Sequence, residues 1–518
     1  MSGPAETVGL GFGALVLLSV YLLSNLLIGF FAYRSGETWV ARDYFLGGKT
    51  TGALVLFFAM LATKFSGNTF FGLPGQAYRI GLMSVLLVPF MVVIAVGFLS
   101  YAPRLYVLSK KYDYLTPADF YADRFQSRPL RLIVACFLIL SVIPYLMIQA
   151  TGMGHAFVGF TGGQYSFTSG VVYISAVMLA YVLLSGWRGV VWAEVLQGSL
   201  LLGSIVIAAV VLVASEGGLA NVIQQAVRVA PEKVEVAGSY STLTRSYLLY
   251  AVVFALGGCM YPQIIQSVYA AKTEADLRRS VVMMLPNYIL IMLCVVLIGL
   301  VGVVRFHGLG TIQADQILGL LLGQQAQNLY WAVVLVFIGA AAAIMSTAAG
   351  VLLTLSSIVT HDLYRHCFRL NASEDEIARA GRIFTVLLLL LVMGLSLQPM
   401  TTLWQLTIIK FEFLMQLYLP LILGLYWPRF TRRAAFAGIG VGTLSVTAML
   451  LAGWKHILIF DAGLVGFLLN AAVCVSVALL VPPDADEQGW VRERFFSLFD
   501  KERVAREKST KRPCLSIT

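Results

Sequence analysis

Apolar runs of about twenty residues recur along nearly the whole chain, parted by short polar connectors. One bilayer crossing takes ~20 such residues at 1.5 Å rise each. The pattern therefore predicts about thirteen crossing helices, at 7–33, 52–78, 80–108, 131–160, 168–186, 190–215, 246–270, 281–306, 327–360, 380–398, 402–427, 434–454 and 461–481. The expected fold class is an all-α polytopic membrane protein, with one transmembrane domain over 1–481 and a tail at 482–518. Two spans are not uniformly apolar. In 52–78, Thr63, Lys64, Ser66, Gly67, Asn68 and Thr69 sit together, followed by Gly72, Pro74 and Gly75. In 246–270, Gly257 and Gly258 precede Pro262. Backbone of this kind is tolerated at membrane depth where protein buries it or where it lines a wet cavity. Both helices are expected to be broken. Paired broken helices in two repeats point to a substrate and ion site; notches for close helix packing are the alternative. Lys64 lies roughly 18 Å from either end of its span, and an ionisable residue at that depth is a candidate functional group.

Charge then sets the topology. Loops 34–51, 103–131, 271–280, 361–382 and 428–433 are basic, and 160–167 and 398–402 carry almost no charge. Basic loops mark the cytosolic side of a cell membrane. With an odd number of spans, the N-terminus is expected outside and the C-terminus in the cytosol. Thr116-Pro117 followed by Asp119 is a helix-start signal for a short interfacial helix. The tail is read either as an amphipathic helix near anionic headgroups or as disordered. Residues 9–33 lack a basic leader and are expected to be a mature helix.

Composition narrows function by exclusion. The chain of 518 residues is 59% hydrophobic and 12% charged, which rules out an ordinary soluble domain. Its net charge of +10 sits in short loops, so no nucleic-acid partner is expected. Six scattered cysteines and five histidines form no disulfide or metal pattern. No catalytic constellation and no organic cofactor are expected; the partners are a small-molecule substrate and the lipid bilayer.

Six motifs stand in order along the chain: DYFLGGK (43–49), FSGNTFFGLPGQAYRIG (65–81), LTPADFYADRF (115–125), GWRGVVWAEVLQ (186–197), PQIIQSVYAAKTEADLRRS (262–280) and AAIMSTAAGVLLTLSSIVTHDLY (342–364). With them the chain resembles the sodium:solute symporter family over roughly 5–480. That resemblance implies a LeuT-type core of two inverted five-helix repeats, 52–215 and 246–427, flanked by 7–33, 434–454 and 461–481. It implies a sodium site from backbone at Ala62 and Phe65 with Ala343, Ser346 and Thr347. The last three share one helix face by their i,i+3 and i,i+4 spacing. Without the resemblance, interhelical hydrogen bonding is the better explanation of the two hydroxyls, so the ion-site reading rests mainly on the resemblance. Glu194 falls where some members hold a second sodium; pairing with Arg188 is the alternative. Substrate-facing positions fall at Phe254, Gly257 and Gly258.

Lys64 departs from the family pattern, where a neutral or acidic residue is usual. It is read as facing an anionic substrate, as a proton carrier in place of sodium coupling, or as a structural ion-pair partner. In span 402–427, Lys410 and Glu412 are i,i+2 and point to nearly opposite faces, with Glu412 a candidate counter-ion for Lys64. With Asn68, Thr69 and Thr407 nearby, the lysines suggest a small carboxylate, either an amino acid or a monocarboxylate. The leading expectation is a symporter driven by sodium or protons. A transporter-like sensor and a passive uniporter or channel are the alternatives.

Overall fold

A computed structural model describes residues 10–34, 51–234, 242–368, 373–398, 401–454, 456–457 and 459–499. The DYFLGGK motif therefore lies outside the described residues, as does the side chain of Arg188. The described chain is nearly all helix, with one two-strand hairpin, β1 (His456–Ile457) and β2 (Phe460–Asp461). In order the helices are α1 (Phe12–Arg34), α2 (Ala53–Lys64), α3 (Leu73–Ile80), α4 (Val88–Tyr112), α5 (Pro117–Arg124), α6 (Arg128–Phe160) and α7 (Phe167–Ser215). There follow α8 (Leu219–Val229), α9 (Thr242–Gly258), α10 (Pro262–Ala270), α11 (Glu274–Arg305), α12 (Ile317–Gln325) and α13 (Tyr330–Ser357). The last are α14 (Glu374–Ser396), α15 (Leu403–Leu414), α16 (Tyr418–Tyr426), α17 (Arg432–Leu451), α18 (Ala462–Leu480) and α19 (Ala485–Val491).

Among the described residues, nine helices are long and apolar enough to cross a membrane, or ten if the bent pair α9–α10 is one span. Shorter apolar stretches at Phe12–Ile28, Ala53–Lys64 and Phe167–Leu183 accompany them. The α7 helix has 49 residues. At 1.5 Å per residue that is ~73 Å, too long for one crossing of ~30 Å. Its two apolar stretches, 167–183 and 189–215, match the two spans read from sequence.

At the centre lies α13, which is buried almost all round, as an apolar helix without a polar face must be. It packs along α7, α6 and α14. Lipid gives helices no hydrophobic reason to associate, so small residues that permit close packing hold such bundles together. The run Gly339–Ala343 is buried throughout. Large apolar residues such as Leu140, Val210, Leu444 and Leu479 stay exposed on the outer surface, as lipid-facing positions do.

The basic loops meet at one end of the bundle. Thr51 N–H donates to the Ala270 carbonyl and Lys272 N–H to that of Thr51 (3.1 and 2.9 Å). Tyr106 Oη donates to the Lys272 carbonyl at 3.0 Å. Arg432 N–H donates to Glu487 at 2.7 Å. The short helix expected after Thr116 is α5; most of it is buried against protein, with Arg124 donating to the Gly424 and Phe430 carbonyls. The tail also departs from expectation. Residues 485–496 seat on protein: Val491 and Phe495 are buried, and Arg494 lies 3.0 Å from Asp123 and stacks over Tyr112. An apolar face already covered by protein is not free to enter headgroups. Residues 500–518 lie outside the described residues.

Candidate functional site

Both expected helix breaks are present. The first falls after Lys64: Phe65 is extended (φ −94°, ψ 109°), and a π-helical stretch, Asn68–Gly72, leads into α3. Its polar groups are tied down from several sides. Gly67 N–H donates to Gln149 (2.9 Å), Ser66 N–H to Thr69 Oγ1 (3.1 Å), and Tyr145 Oη to the Thr63 carbonyl (2.5 Å). The second break, Cys259–Tyr261, bends α9 against α10 by 49°.

At the first break the freed Ala62 carbonyl faces α13. Ser346 Oγ donates to it at 3.1 Å and Thr347 Oγ1 at 2.9 Å. Ser346 Oγ also lies 3.1 Å from the Ala343 carbonyl. Four oxygens from Ala62, Ala343, Ser346 and Thr347 thus converge in a buried spot. Neutral oxygens of this kind are what a hard cation takes. Phe65 is adjacent, its ring against Tyr288 (5.4 Å between centroids). Glu194 is buried beside the same break. Its Oε1 stands 3.5 Å, and Thr63 Oγ1 3.8 Å, from where a Cβ on Gly350 would be.

The two lysines differ in setting. Lys64 reaches α11, its ammonium 5.5 Å from the Tyr288 ring centroid. Lys410 is buried in α15, with its ammonium 3.6 Å from the Tyr145 ring centroid, 5.0 Å from Tyr261 and 4.9 Å from Phe411. Tyr145 and Tyr261 stack at 4.8 Å. Among the described residues no carboxylate pairs with either lysine. Glu412 does not serve Lys64. It points the other way, its side chain against Gly463 at the start of α18, since i and i+2 diverge on a helix.

The remaining expected positions divide. Asn68 keeps a buried Oδ1 without a hydrogen-bond partner, Thr69 closes the turn onto Ser66, and Thr407 donates to the Leu403 carbonyl within its own helix. Gly257 and Gly258 act as packing notches: a Cβ on Gly257 would stand 2.6 Å from the Phe411 carbonyl oxygen, and one on Gly258 2.8 Å from Ile94. Phe254 stacks on Trp404 and touches Phe411.

Sequence reading missed the two ionic clusters that cap the bundle. At the basic end, Arg131 donates to Asp119 (2.7 Å) and Asp362 (2.8 Å), with His361 Nδ1 3.4 Å from Asp362. Asp119 Oδ2 also accepts from Leu115 and Thr116 N–H. Burial alone would raise the Asp119 carboxyl, but His361, Arg131 and these N–H groups hold it below its ordinary value. The motif LTPADFYADRF contained Asp119 but gave no hint that it would share Arg131 with Asp362, far along the chain. At the opposite end, Arg79 donates to Asp315 (2.9 Å) and the Thr311 carbonyl (2.8 Å), while Asp315 Oδ2 accepts from Leu403 N–H (2.8 Å). This ties α3 to the start of α15.

Burial pushes the Asp315 carboxyl up to about 6 against the pull of Arg79. The folded value exceeds the unfolded one of ~3.9. Between those values the folded state holds the extra proton, so this group's stabilising effect fades as pH rises through about 4 to 6. Asp315→Asn is expected to remove that slope from apparent melting temperature against pH; an unchanged slope contradicts the assignment.

Residues 44–442 match the model of the sodium:solute symporter family. The chain belongs to this family. The osmoregulated proline transporter OpuE of Bacillus subtilis is 27% identical over 90% of this chain and 94% of its own. The sodium/proline symporter of Escherichia coli is 26% identical over 85% of this chain and 88% of its own. A solved Na+-coupled sialic acid symporter superposes with a TM-score of 0.75 at 18% identity, over 91% of this chain and 98% of its own. Its likeness shows that the symporter family member described here shares that transporter's fold. The protein is therefore a multi-pass membrane symporter, and its relatives are transporters rather than enzymes.

Proposed function

We propose that this protein couples uptake of a small carboxylate-bearing solute, an amino acid or a monocarboxylate, to the sodium gradient by alternating access. The observation that carries it is the pair of hydroxyls, Ser346 and Thr347, on the Ala62 carbonyl freed by the first break. With Phe65 and Ala343 these groups would hold the coupling sodium, and Glu194 a second one. Proline and sialic acid, named for the relatives above, both carry a carboxylate. Inverted repeats at 52–215 and 246–427, about thirteen crossings and a cytosolic basic end complete the proposal. The solute would lie between the breaks, near Lys64, Asn68, Thr69 and Thr407. In alternating access, the Arg131 cluster would close the basic end and Arg79–Asp315 the other.

Proton coupling through Lys64 is a second reading, favoured by an ammonium at the first break with no paired carboxylate among the described residues. Proteoliposomes separate the two. Labelled pyruvate and L-proline are offered under an inward sodium gradient or an inward proton gradient, to wild type and Lys64→Met. Accumulation of a probe above equilibrium under sodium alone supports sodium symport. Accumulation under protons alone, lost in Lys64→Met, supports the second reading. Uptake that only equilibrates under both gradients overturns symport.

A further inference from the structure

Lys410 is a buried lysine that the sodium site leaves unused. Its ammonium rests on the face of Tyr145, whose hydroxyl is spent on the Thr63 carbonyl at the first break. The other wall is Tyr261, which belongs to the second break. The cation therefore sits where the two breaks approach one another. Aromatic faces attract a cation, but they offset only part of what its removal from water costs. A bound anion would offset the rest. Among the described residues none is supplied: Glu194 stands beside Thr63 and Gly350, and Glu412 faces Gly463. Other polar groups of the breaks lack partners too. Asn68 Oδ1 is buried and unbonded, and Gln263, two residues beyond Tyr261, buries both amide atoms without a hydrogen bond. Such groups are normally satisfied by something.

We propose that Lys410, in its cage of Tyr145, Tyr261 and Phe411, anchors the carboxylate of the transported solute, and that the site selects a monocarboxylate lacking an ammonium group over an amino acid. The selection follows from the charges present. A zwitterion brings its own cation into a site that already holds Lys410, with Lys64 on the same break, and offers that cation no carboxylate. The hydroxyls of Ser346 and Thr347 are engaged on Ala62. Like charges at such depth repel strongly, so binding at least about tenfold weaker is expected for an amino acid than for a monoanion of its size. The proposal rests on the symport reading for its location between the breaks, but it is tested separately.

The test uses the purified full chain in detergent with sodium chloride, and apparent melting temperature as readout. The probes are propionate, pyruvate and L-lactate, then L-alanine and L-proline as zwitterions and propionamide as a neutral isostere. A ligand that binds only the folded state raises its melting temperature in proportion to ln(1 + [L]/Kd). At least one of the three anions is expected to raise it, the zwitterions to need at least about tenfold higher concentration, and propionamide to do nothing. Lys410→Met is expected to lose the anion response and keep any response to sodium; Lys410→Arg is expected to retain part of it. An equal response to L-alanine or L-proline overturns the proposal. So does no response to any of the three anions, or a response that survives in Lys410→Met. Should that variant fail to fold, the wild-type panel decides alone. An anion response without a sodium response supports the anchor and counts against sodium symport instead.

Discussion

Thr347→Val is expected to weaken sodium binding at least about tenfold, and Ser346→Ala to do the same, because each removes one of few neutral oxygens around a small cation. The variants differ from wild type by one hydroxyl in a buried spot, so their intrinsic stability should change little. Each loses one hydrogen bond to the Ala62 carbonyl, worth about 1 kcal/mol. Valine keeps the shape of threonine, so packing against α2 persists. That separation matters: a purely structural hydroxyl would lower stability equally in every salt, whereas a ligand hydroxyl lowers the sodium response as well. Binding of radioactive sodium to purified protein, competed with unlabelled sodium, gives the affinity. Unchanged affinity in both variants would remove these side chains from the sodium site.

Arg131→Met is expected to be the most damaging single change at the basic end. One guanidinium nitrogen bridges Asp119 and Asp362, whose side chains are 9% and 0% exposed. Removing it leaves two buried carboxylates facing each other, and breaking such a pair costs about 3–5 kcal/mol. Arg131→Lys should recover only part, because a compact ammonium lacks the planar fork that meets carboxylates squarely. The replacement should also favour states in which α5 and the stretch after α13 that carries Asp362 part at this end. Apparent melting temperature measures the first effect. Labelling of a cysteine placed at Tyr114, beside the cluster, measures the second: faster in Arg131→Met, intermediate in Arg131→Lys. A stable variant with unchanged labelling would mean that the cluster bears no load.

What the sequence made legible follows a clear division. Breaks in α2–α3 and α9–α10 could be read because glycine, proline and polar residues interrupt an apolar run locally. The Ala343, Ser346 and Thr347 face, and the divergence of Lys410 from Glu412, follow from helical spacing within one element. The cage around Lys410 could not be read, since Tyr145 and Lys410 come from two helices and Tyr261 from the second break, and each tyrosine looks like an ordinary membrane aromatic. Arg131 was counted only as one loop charge among many, although its partners make it structural. Gly257 and Gly258 show the limit from the other side. Both were expected at substrate-facing positions, and the space their missing side chains leave is taken by Phe411 and Ile94. Glycine in a broken helix signals that something approaches closely, without saying whether it is a solute or a neighbouring helix.

The measurement to make first is thermal unfolding of the detergent-purified chain in sodium, potassium and choline chloride at matched ionic strength. A ligand of the folded state alone stabilises it by RT ln(1 + [L]/Kd), and no knowledge of the transported solute is needed. The expected result is a melting temperature raised by sodium over both other salts, with the increment lost in Thr347→Val. Identical melting in the three salts, or a sodium increment that Thr347→Val leaves untouched, would contradict a coupling sodium held between Ala62 and Thr347.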